Sequence, residues 1–494
     1  MVPADQFIHK LLGAEQTEGP VMKMLLIAPA SGYWRRIGRR RFFNGKTFRF
    51  SMLPLLTVAE LSPKDAEITL IDEQFQDIPD GMFDLVGITA MTALAPRAYE
   101  LCAHFRERGI PVVMGGYHAT LNPGEALQHA DAVVTGPAYG AWQRVCEDVQ
   151  AGRLQRRYQG DIRGGIPKTL PRHLLDKRQY VTAHATFATM GCRNACRFCS
   201  IAKFHESRFF TRPVEDVVEE VAAFESRMFM FVDDNLTMDR EYALALFERL
   251  APLGKRWATQ ASLTIGEDEE LLAAMQRAGC TGVFVGLETF NPEALASQQK
   301  AFNTPEKYRQ AVAAFHRHGM YVEAGVMVGF DHDTPDVFRD TLEALERARI
   351  DAIQLAIVTP LPGTPLFESM KDRLADRNWE HYDYRHAVFA PAQLSRNELQ
   401  DGADWLIRAF YSPWRIVRRI PRWMSVPGGW RLWVYPLVLN LAYLGRVFRF
   451  EIGGSNPARQ WTSWRRVCSN VIQNLRSTWN VLGSGSRSEY WDRT

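Results

Sequence analysis

Residues 191–200 read GCRNACRFCS. They place three thiols, Cys192, Cys196 and Cys199, in a C-x3-C-x2-C arrangement. Closely spaced thiolates are typical of a soft-metal site, and an iron–sulfur cluster is the leading interpretation. A [4Fe–4S] cluster normally takes four cysteines, so three leave one iron open to an outside ligand. An open coordination position is what makes a metal site catalytic instead of structural.

A zinc site is the alternative for the same cysteines. It needs a fourth ligand, and His205, six residues after Cys199, is the one close candidate. That spacing is loose for a zinc site. Under this alternative the chain is a non-enzymatic iron–sulfur or zinc-binding module.

The cysteine spacing, with the aromatic Phe198 directly before the last cysteine, resembles the radical S-adenosylmethionine (SAM) superfamily. The resemblance implies a [4Fe–4S] cluster on Cys192, Cys196 and Cys199 whose open iron binds SAM. It further implies that one-electron cleavage of SAM yields a 5′-deoxyadenosyl radical, which abstracts hydrogen from an unactivated carbon. An electron donor such as flavodoxin or ferredoxin is then required. The cofactors carry such chemistry, whereas the protein orients them and excludes water.

The composition is that of a globular protein of two or three domains, with 494 residues, 46% apolar and 23% charged. The first 20 residues lack a basic segment followed by an apolar core, so no secretory signal is seen. The seven cysteines have no paired spacing, which favours a reducing compartment over a disulfide scaffold. We therefore expect a cytoplasmic protein.

The N-terminal third alternates short apolar runs with segments of helical length. Buried strands are predicted at residues 24–29, 68–72, 85–89, 112–116 and 132–136. This pattern indicates an α/β fold with a doubly wound parallel sheet over residues 22–150, followed by a linker at 151–180. Ligands of such sheets bind beyond the carboxyl ends of the strands.

Residues 115–120, GGYHAT, match a Gly-Gly-x-His-x-Thr stretch in this domain. The match resembles the cobalamin-binding-type domain that precedes the barrel in one radical SAM class, and it implies cobalamin near Gly115 and Gly116. The Asp-x-His-x-x-Gly signature of a histidine cobalt ligand is absent, because Asp72 is followed by Glu-Gln-Phe. We interpret His118 as a packing residue and not as a cobalt ligand.

Six further strands are predicted at residues 183–190, 228–232, 257–262, 282–289, 322–330 and 352–357. They indicate a partial (β/α)6 barrel over residues 181–369, whose active site lies at the strand carboxyl ends. The cysteine loop and several polar residues fall on that face: Asp233, Asp234, Asn235, Ser262, Glu288 and Asp331. Each of these residues has a simpler interpretation, since polar residues at strand ends often cap the next helix.

The layout of the barrel resembles the cobalamin-type radical SAM subgroup that includes hopanoid methylases. The stretches that carry this are FVDDN at 231–235, QAS at 260–262 and GFDHDTP at 329–335. The resemblance implies methylation of an unactivated carbon in a hydrophobic or natural-product substrate. The competing enzymatic interpretation is a cobalamin-independent radical oxidation, rearrangement or cyclisation. The residues implied in SAM binding are Phe198, Asp234, Gln260, Ser262 and Glu288.

The C-terminal region changes character after a helical extension predicted at residues 370–412. From Trp405 to the end there are nine Trp, 14 Arg, no Lys and three acidic residues. The apolar run at 430–448 is too interrupted to span a membrane. Two interpretations of the Trp/Arg-rich region, 413–481, remain. It is either an interfacial element that docks the mouth of the barrel on a bilayer, or a helix buried on the barrel. The first interpretation would suit a lipid substrate. Residues 482–494 are predicted to be disordered, and no nucleic-acid recognition module is visible.

Overall fold

The computed structural model describes residues 21–31, 47–50, 52–182, 184–428 and 433–448. The predictions for Cys468 and for residues 482–494 lie outside these ranges, as does most of the predicted Trp/Arg-rich region. The predicted α/β class, with a parallel sheet followed by a partial barrel, is confirmed.

The first sheet has six parallel strands and covers the predicted cobalamin-type domain. Alternate residues of its first strand belong to different cores, because Met24 and Leu26 pack on one face and Leu25 and Ile27 on the other. Both faces of the sheet are therefore covered, as expected of a doubly wound fold. The sheet strands are β1 (Lys23–Ala28), β3 (Glu67–Asp72), β4 (Leu85–Thr89), β5 (Val112–Gly115), β6 (Ala132–Thr135) and β7 (Arg157–Gln159), while β2 (Thr47–Phe50) pairs with β8 (Tyr180–Thr182).

The strand order of this sheet, β3-β1-β4-β5-β6-β7, reverses direction between β1 and β4. Such a switch point forms the crevice in which α/β sheets bind ligands. The predicted linker at 151–180 is wrong in one respect, because β7 pairs with β6 and completes the sheet. The helices of this unit are α1 (Leu53–Glu60), α2 (Ala95–Glu107), α3 (Gly116–Leu121), α4 (Pro123–His129) and α5 (Ala141–Gln150).

A second parallel sheet of six strands forms the partial barrel, in the order β16-β15-β14-β13-β12-β9. Its strands are β9 (Ala185–Thr186), β12 (Met228–Phe231), β13 (Arg256–Ala261), β14 (Cys280–Glu288), β15 (Tyr321–Val328) and β16 (Ala352–Ile357). The helices that cover it are α6 (Ser200–Phe204), α7 (Val214–Ala222), α8 (Arg240–Leu250), α9 (Glu269–Arg277), α10 (Pro292–Ser297), α11 (Tyr308–Arg317) and α12 (Val337–Ala348).

The prediction of one continuous strand over residues 183–190 is wrong. The strand stops after Thr186, and residues 189–191 form β10 (Thr189–Gly191), which pairs antiparallel with β11 (Phe209–Thr211). The amide groups of Ala188 and Thr189 donate to the carboxylate of Asp233 and not to a neighbouring strand. Apolar periodicity does not reveal this, because a carboxylate 44 residues away satisfies the backbone.

The C-terminal extension consists of α13 (Pro365–Met370), α14 (Arg396–Phe410), α15 (Pro413–Met424) and α16 (Val434–Phe448). The last two helices pack near the amino ends of β15 and β16. The Trp423 indole donates to Asp351, which directly precedes β16, and the Asn440 amide donates to the carbonyl of the same residue. The predicted docking of this region at the barrel mouth is therefore wrong, because these helices lie at the opposite end from the cysteine loop. Buried residues such as Leu444 and Val447 support the buried-helix alternative for α16.

Candidate active site

The cysteine loop leaves the barrel between β10 and α6. Gly191 has a φ of 81°, and a Cβ there would lie 2.1 Å from the carbonyl oxygen of Arg208. Only glycine fits this close approach. At the other end of the loop the Cys199 amide donates to the Cys196 carbonyl at 3.0 Å. The backbone thus folds the three cysteines back toward one another.

The three thiols interact electrostatically with one another. Cys196 is buried, and Cys192 and Cys199 are partly buried. Burial raises the pKa of each thiol, that of Cys196 to about 11, so these cysteines gain thiolate character only when a metal is bound. In the part of the chain that the structure describes, no three His, Cys, Asp or Glu side chains surround one ion. An iron–sulfur cluster does not need three side chains around one ion, because each thiolate binds a different iron of the cluster.

A largely enclosed ion pair lies beside the thiols. Lys300 donates through Nζ to Glu288, and both side chains are 12% exposed. Burial alone would lower the pKa of Lys300, but the charges of Glu288 and the nearby thiols outweigh it and raise that pKa. Lys300 also lies 5.9 Å from the centre of the Phe198 ring. Lys300 is absent from the residues predicted from the sequence, although a lysine 12 residues after Glu288, at the strand end, was a usable signal.

The strand end that carries Glu288 has an irregular backbone, and neighbouring residues contact it closely. The pairing of β14 with β15 shifts register between Gly286 and Glu288, and Glu288 has a φ of 66°. A Cβ on Gly286 would lie 2.6 Å from the Glu288 carboxylate and 2.9 Å from the Lys300 ammonium. Asn303 donates to the Gly286 carbonyl at 2.8 Å. Backbone strain of this kind is concentrated at functional sites.

The adjacent carboxylates after β12 have separate anchoring contacts. Asp233 is 1% exposed and accepts from the Ala188 and Thr189 amides, and burial raises its pKa to about 7. Asp234 accepts from the Gly191 amide at 2.8 Å, at the start of the cysteine loop. Its carboxylate lies 3.8 Å from His205, whose pKa burial lowers to about 4. In the structure, Asp234 therefore fixes the loop; its predicted contact with SAM remains a prediction.

The other predicted SAM residues, Phe198, Gln260 and Ser262, have different surroundings in the structure. Phe198 packs in an apolar cluster beside the barrel and faces Lys300. Gln260 is partly exposed at the end of β13. Ser262 caps the following turn through the Thr264 amide, which is the simpler role for that residue. Asp331, which was predicted only to lie on the same face, is bound by Arg373 at 2.7 and 2.9 Å, so it holds the C-terminal extension.

The predicted cobalamin side faces this loop across a short distance. Helix α3, which begins at Gly116, packs on α6, and the rings of Tyr117 and Phe204 are 4.6 Å apart. His118 is fully buried, and its ring contacts Tyr99 at 2.8 Å and Thr92 at 3.3 Å. The prediction that His118 packs internally agrees with these contacts. The carboxyl edge of the first sheet thus meets the mouth of the barrel.

Comparison with known proteins agrees with this geometry. Residues 187–345 match the family model of the radical SAM superfamily. The chain is 29% identical over 403 residues to bacteriochlorophyllide d C-12(1)-methyltransferase of Chlorobaculum tepidum, covering 78% of this chain and 88% of that protein. It is 25% identical over 342 residues to hopanoid C-2 methylase of Rhodopseudomonas palustris, covering 64% and 63%.

The fold is similar to a solved structure of the radical SAM methyltransferase TsrM from Kitasatospora setae, which contains cobalamin and a [4Fe–4S] cluster. The TM-score is 0.62 at 14% identity, covering 87% of this chain and all of the other. At that identity the likeness establishes the fold alone. The matched residues include the cysteine loop and four of the six barrel strands. Residues 187–345 thus form a radical SAM domain, and the chain has the fold of the cobalamin-dependent methyltransferase TsrM of that superfamily.

Proposed function

We propose that this enzyme is a cobalamin-dependent C-methyltransferase that acts on an unactivated carbon of a hydrophobic or natural-product substrate. The observation that carries the proposal is the contact between the two candidate cofactor regions. The carboxyl edge of the first sheet meets the cysteine loop through Tyr117 and Phe204. A group held on one side therefore faces a group held on the other.

On the barrel side, Cys192, Cys196 and Cys199 would hold the cluster. The Lys300–Glu288 pair supplies one cation and one anion beside them, which suits the carboxylate and ammonium of SAM. When bound, these groups supply a 5′-deoxyadenosyl radical, and cobalamin supplies the methyl group. The protein fixes the loop through Asp234 and Gly191, and Phe198 of the loop packs on an apolar cluster that excludes water from that side.

On the first sheet, cobalamin would lie over the switch point between β1 and β4, near Gly115 and Gly116. Glu73, at the adjacent strand end, is held by Arg97 and accepts from the Ala30 amide at 2.9 Å. Both ring nitrogens of His118 already have partners. We therefore propose that cobalamin binds without a protein histidine on the cobalt.

Two relatives support a hydrophobic substrate, since their names give bacteriochlorophyllide d and a hopanoid as the molecules they methylate. Both are polycyclic and largely apolar. For an electron donor, Arg193 and Lys203 lie exposed beside the cysteine loop and suit an acidic protein such as flavodoxin or ferredoxin. Glutamate at both positions should slow reduction by flavodoxin without slowing reduction by a chemical reductant.

Peripheral membrane contact is proposed for α15 alone. Its exposed side chains include Trp414, Val417 and Met424, at 69%, 54% and 60% exposure. Exposed Arg418 lies among them, and such a surface suits an anionic bilayer. Within the described ranges, no helix is long and apolar enough to cross a membrane.

The function is tested with anaerobically reconstituted enzyme, hydroxocobalamin and SAM carrying an isotopic label in its methyl group. We expect bound cobalamin, 5′-deoxyadenosine on reduction, and labelled methyl on a carbon of an apolar metabolite from a cell extract. Formation of 5′-deoxyadenosine without any cobalamin binding would favour the oxidation, rearrangement or cyclisation alternative. Failure to cleave SAM with an intact cluster would favour a binding module.

A further inference from the structure

The inner face of the partial barrel carries smaller side chains than the interior of a closed barrel does. In a closed barrel, layers of bulky branched side chains fill the interior. Here the valines of β14 and β15 pack in the core beneath the outer helices, and the residues that alternate with them face inward. The small residues at inward-facing positions of β13 to β16 are Ala258, Gly282, Gly286, Gly325 and Ala356. The inner face therefore has few side chains that could fill the interior.

Two polar side chains project from this inner face. Gln354 on β16 is exposed, and Glu323 on β15 is half-buried. The strand pairing places Gln354 beside Gly325, and Glu323 beside Phe284. The half-buried Phe284 ring covers Gly325, since a Cβ at that glycine would lie 2.9 Å from the ring. A polar pair and an aromatic ring thus share one accessible surface inside the barrel.

The two oxygens of the Glu323 carboxylate have different surroundings. Oε1 accepts from the Tyr443 hydroxyl at 2.8 Å and from the Gln354 amide at 3.2 Å. Contact with α16, through Tyr443, accounts for that oxygen. Oε2 makes no hydrogen bond with any residue that the structure describes. A partly buried carboxylate oxygen normally has a donor, so Oε2 is open to a donor on a ligand.

The charges around Glu323 suit a neutral donor. Burial raises the pKa of Glu323, while the hydrogen bonds from Tyr443 and Gln354 and the positive charge of Arg446 act against this rise. The carboxylate therefore already has a cation in its surroundings and does not need one from a ligand. A hydroxyl group can donate to Oε2 without bringing a second charge into the barrel, where an ammonium group would lose its hydration.

The position of this pair along the strands brings it near the cysteine loop. Ala356, on the same face of β16, belongs to the apolar cluster that contains Phe198 of the loop. Gln354 lies two residues earlier on that strand, so it is about 7 Å further from the barrel mouth. A ligand held at Glu323 can thus extend along the inner face until another of its carbons faces the cysteine loop.

We propose that Glu323 binds a hydroxyl group of the methyl acceptor inside the barrel, and that the Phe284 ring supplies the apolar surface beside it. The hydroxyl donates to Oε2, while Gln354 is a positioning residue that holds the carboxylate through Oε1. The substrate class is therefore an apolar molecule that carries a hydroxyl at a fixed distance from the carbon that is methylated. The inference rests on the proposed methyltransferase function, because it assigns the substrate side of that same site.

The test compares three probes of nearly equal size, 1-naphthalenemethanol, 1-methylnaphthalene and 1-naphthylmethylamine, by equilibrium dialysis against the reconstituted enzyme. The alcohol should bind about tenfold more tightly than the hydrocarbon, through one hydrogen bond to a carboxylate. Glu323→Gln, which keeps the shape of the side chain, should remove most of that preference, because a neutral amide replaces the charged acceptor. Gln354→Ala should lower the preference about threefold, because the carboxylate loses a positioning contact.

The ratio of alcohol to hydrocarbon affinity is the decisive quantity, since a variant that merely distorts the barrel weakens both probes alike. Gln310→Ala, at an exposed glutamine of α11 outside the barrel, is the matched control and should keep the ratio of the unmodified enzyme. Equal affinity of the unmodified enzyme for alcohol and hydrocarbon would overturn the hydroxyl site, as would a full preference for the alcohol in Glu323→Gln. Tighter binding of the amine than of the alcohol would also overturn it.

Cobalamin content and 5′-deoxyadenosine formation, measured on the same unmodified preparation, separate this inference from the proposed function. A preparation that binds cobalamin and cleaves SAM but does not prefer the alcohol would overturn the hydroxyl site alone. A preparation that prefers the alcohol but neither binds cobalamin nor cleaves SAM would contradict the proposed function and support the site.

Discussion

At the scale of single residues, the candidate site depends on a few side chains whose charges are balanced locally. The thiols of the cysteine loop are buried or half-buried, and burial raises their pKa, so they need a metal to become thiolates. Lys300 brings a positive charge close to them and is itself compensated by Glu288. Substitutions of the cysteines and of Lys300 therefore have separate effects, the first on ligation of the cluster and the second on this charge balance.

Replacing Cys192, Cys196 or Cys199 with Ala should abolish the visible absorbance of the cluster and the reductive cleavage of SAM. The physical reason is that each thiolate carries one iron. Cys102, Cys146 and Cys280 are buried at other positions and should tolerate Ala, as should Cys468. Iron and sulfide analysis after anaerobic reconstitution is the measurement. A Cys196→Ala protein that kept its cluster while Cys280→Ala lost it would refute the ligand assignment.

Replacing Lys300 with Met should leave the buried Glu288 carboxylate unpaired. Removing one partner of a buried pair lowers the free energy of unfolding by about 3 kcal/mol. The double variant Lys300→Met with Glu288→Gln should recover most of that stability, as denaturant titration would show. SAM affinity should stay reduced in both variants. If the double variant bound SAM normally, the pair would have only a structural role.

At the scale of elements, the C-terminal helices divide into one that is buried and one that is partly exposed. Helix α16 contributes Leu444, Val447 and the fully buried Asn440 to the protein interior. Helix α15 anchors itself through buried Trp423 and Arg419, while its opposite side exposes apolar residues. Arg419 is neutralised by Glu346 at 2.7 Å. The same element can thus pack on the barrel and still present an apolar surface.

Flotation with anionic liposomes tests that surface. The unmodified enzyme should float with the liposomes at low salt. The double variant Trp414→Ser with Val417→Ser should have a liposome partition coefficient about tenfold lower or more, because each apolar side chain buried in the bilayer contributes about 1.5–3 kcal/mol. Met82→Ser is the matched control, because Met82 is 72% exposed on the N-terminal unit. An enzyme that stays unbound at low salt would show that α15 does not contact anionic membranes.

At the scale of the whole molecule, the three parts of the chain are joined by shared cores and one carboxylate. Tyr180, Ala185 and Phe187 pack in the same cluster as the first sheet, so the barrel begins within that core. Glu125 of α4 accepts from the Trp379 indole at 2.7 Å and from the Tyr99 hydroxyl at 2.9 Å. Trp379 belongs to the C-terminal extension. Glu125 therefore links the extension to the N-terminal unit.

The link at Glu125 should make stability depend on pH under acidic conditions. Burial alone would raise the pKa of Glu125, but its hydrogen bonds and the nearby His118 outweigh this and lower that pKa to about 2. A lowered pKa means that the stabilisation is complete above the ordinary value of 4.5 and is lost as the pH falls through about 2. Allowing for partial exposure, the contribution is about 1–2 kcal/mol.

The measurement is the free energy of unfolding as a function of pH for the unmodified enzyme and for Glu125→Gln. The variant should be less stable at neutral pH, and the difference should shrink as the pH falls below about 4. Glu107→Gln, at an exposed position on α2, should behave as the unmodified enzyme does. A difference that stayed constant down to about pH 2 would mean that the charge of Glu125 does not stabilise the fold.

The sequence by itself determined the features that are encoded locally. Apolar runs of Val and Ile predicted the strands Leu85–Thr89 and Ala352–Ile357 with the bounds that they have in the structure, because buried parallel strands need continuous apolar residues. The cysteine motif could also be identified from a short stretch of sequence, because its three thiols lie within eight residues. The class of fold and the superfamily followed from these two signals.

Only the tertiary structure decided which distant residues meet. Lys300 pairs with Glu288 across a strand end, and Asp233 satisfies the backbone that ends β9. Glu125 and Trp379 lie 254 positions apart in the chain, yet the Trp379 indole donates to the Glu125 carboxylate. Sequence periodicity reports whether a residue is buried, but which partner it meets depends on how separate elements pack. The position of the C-terminal helices could not be predicted from composition either. Their Trp and Arg content suited a membrane surface near the barrel mouth, whereas in the structure they pack at the opposite end of the barrel.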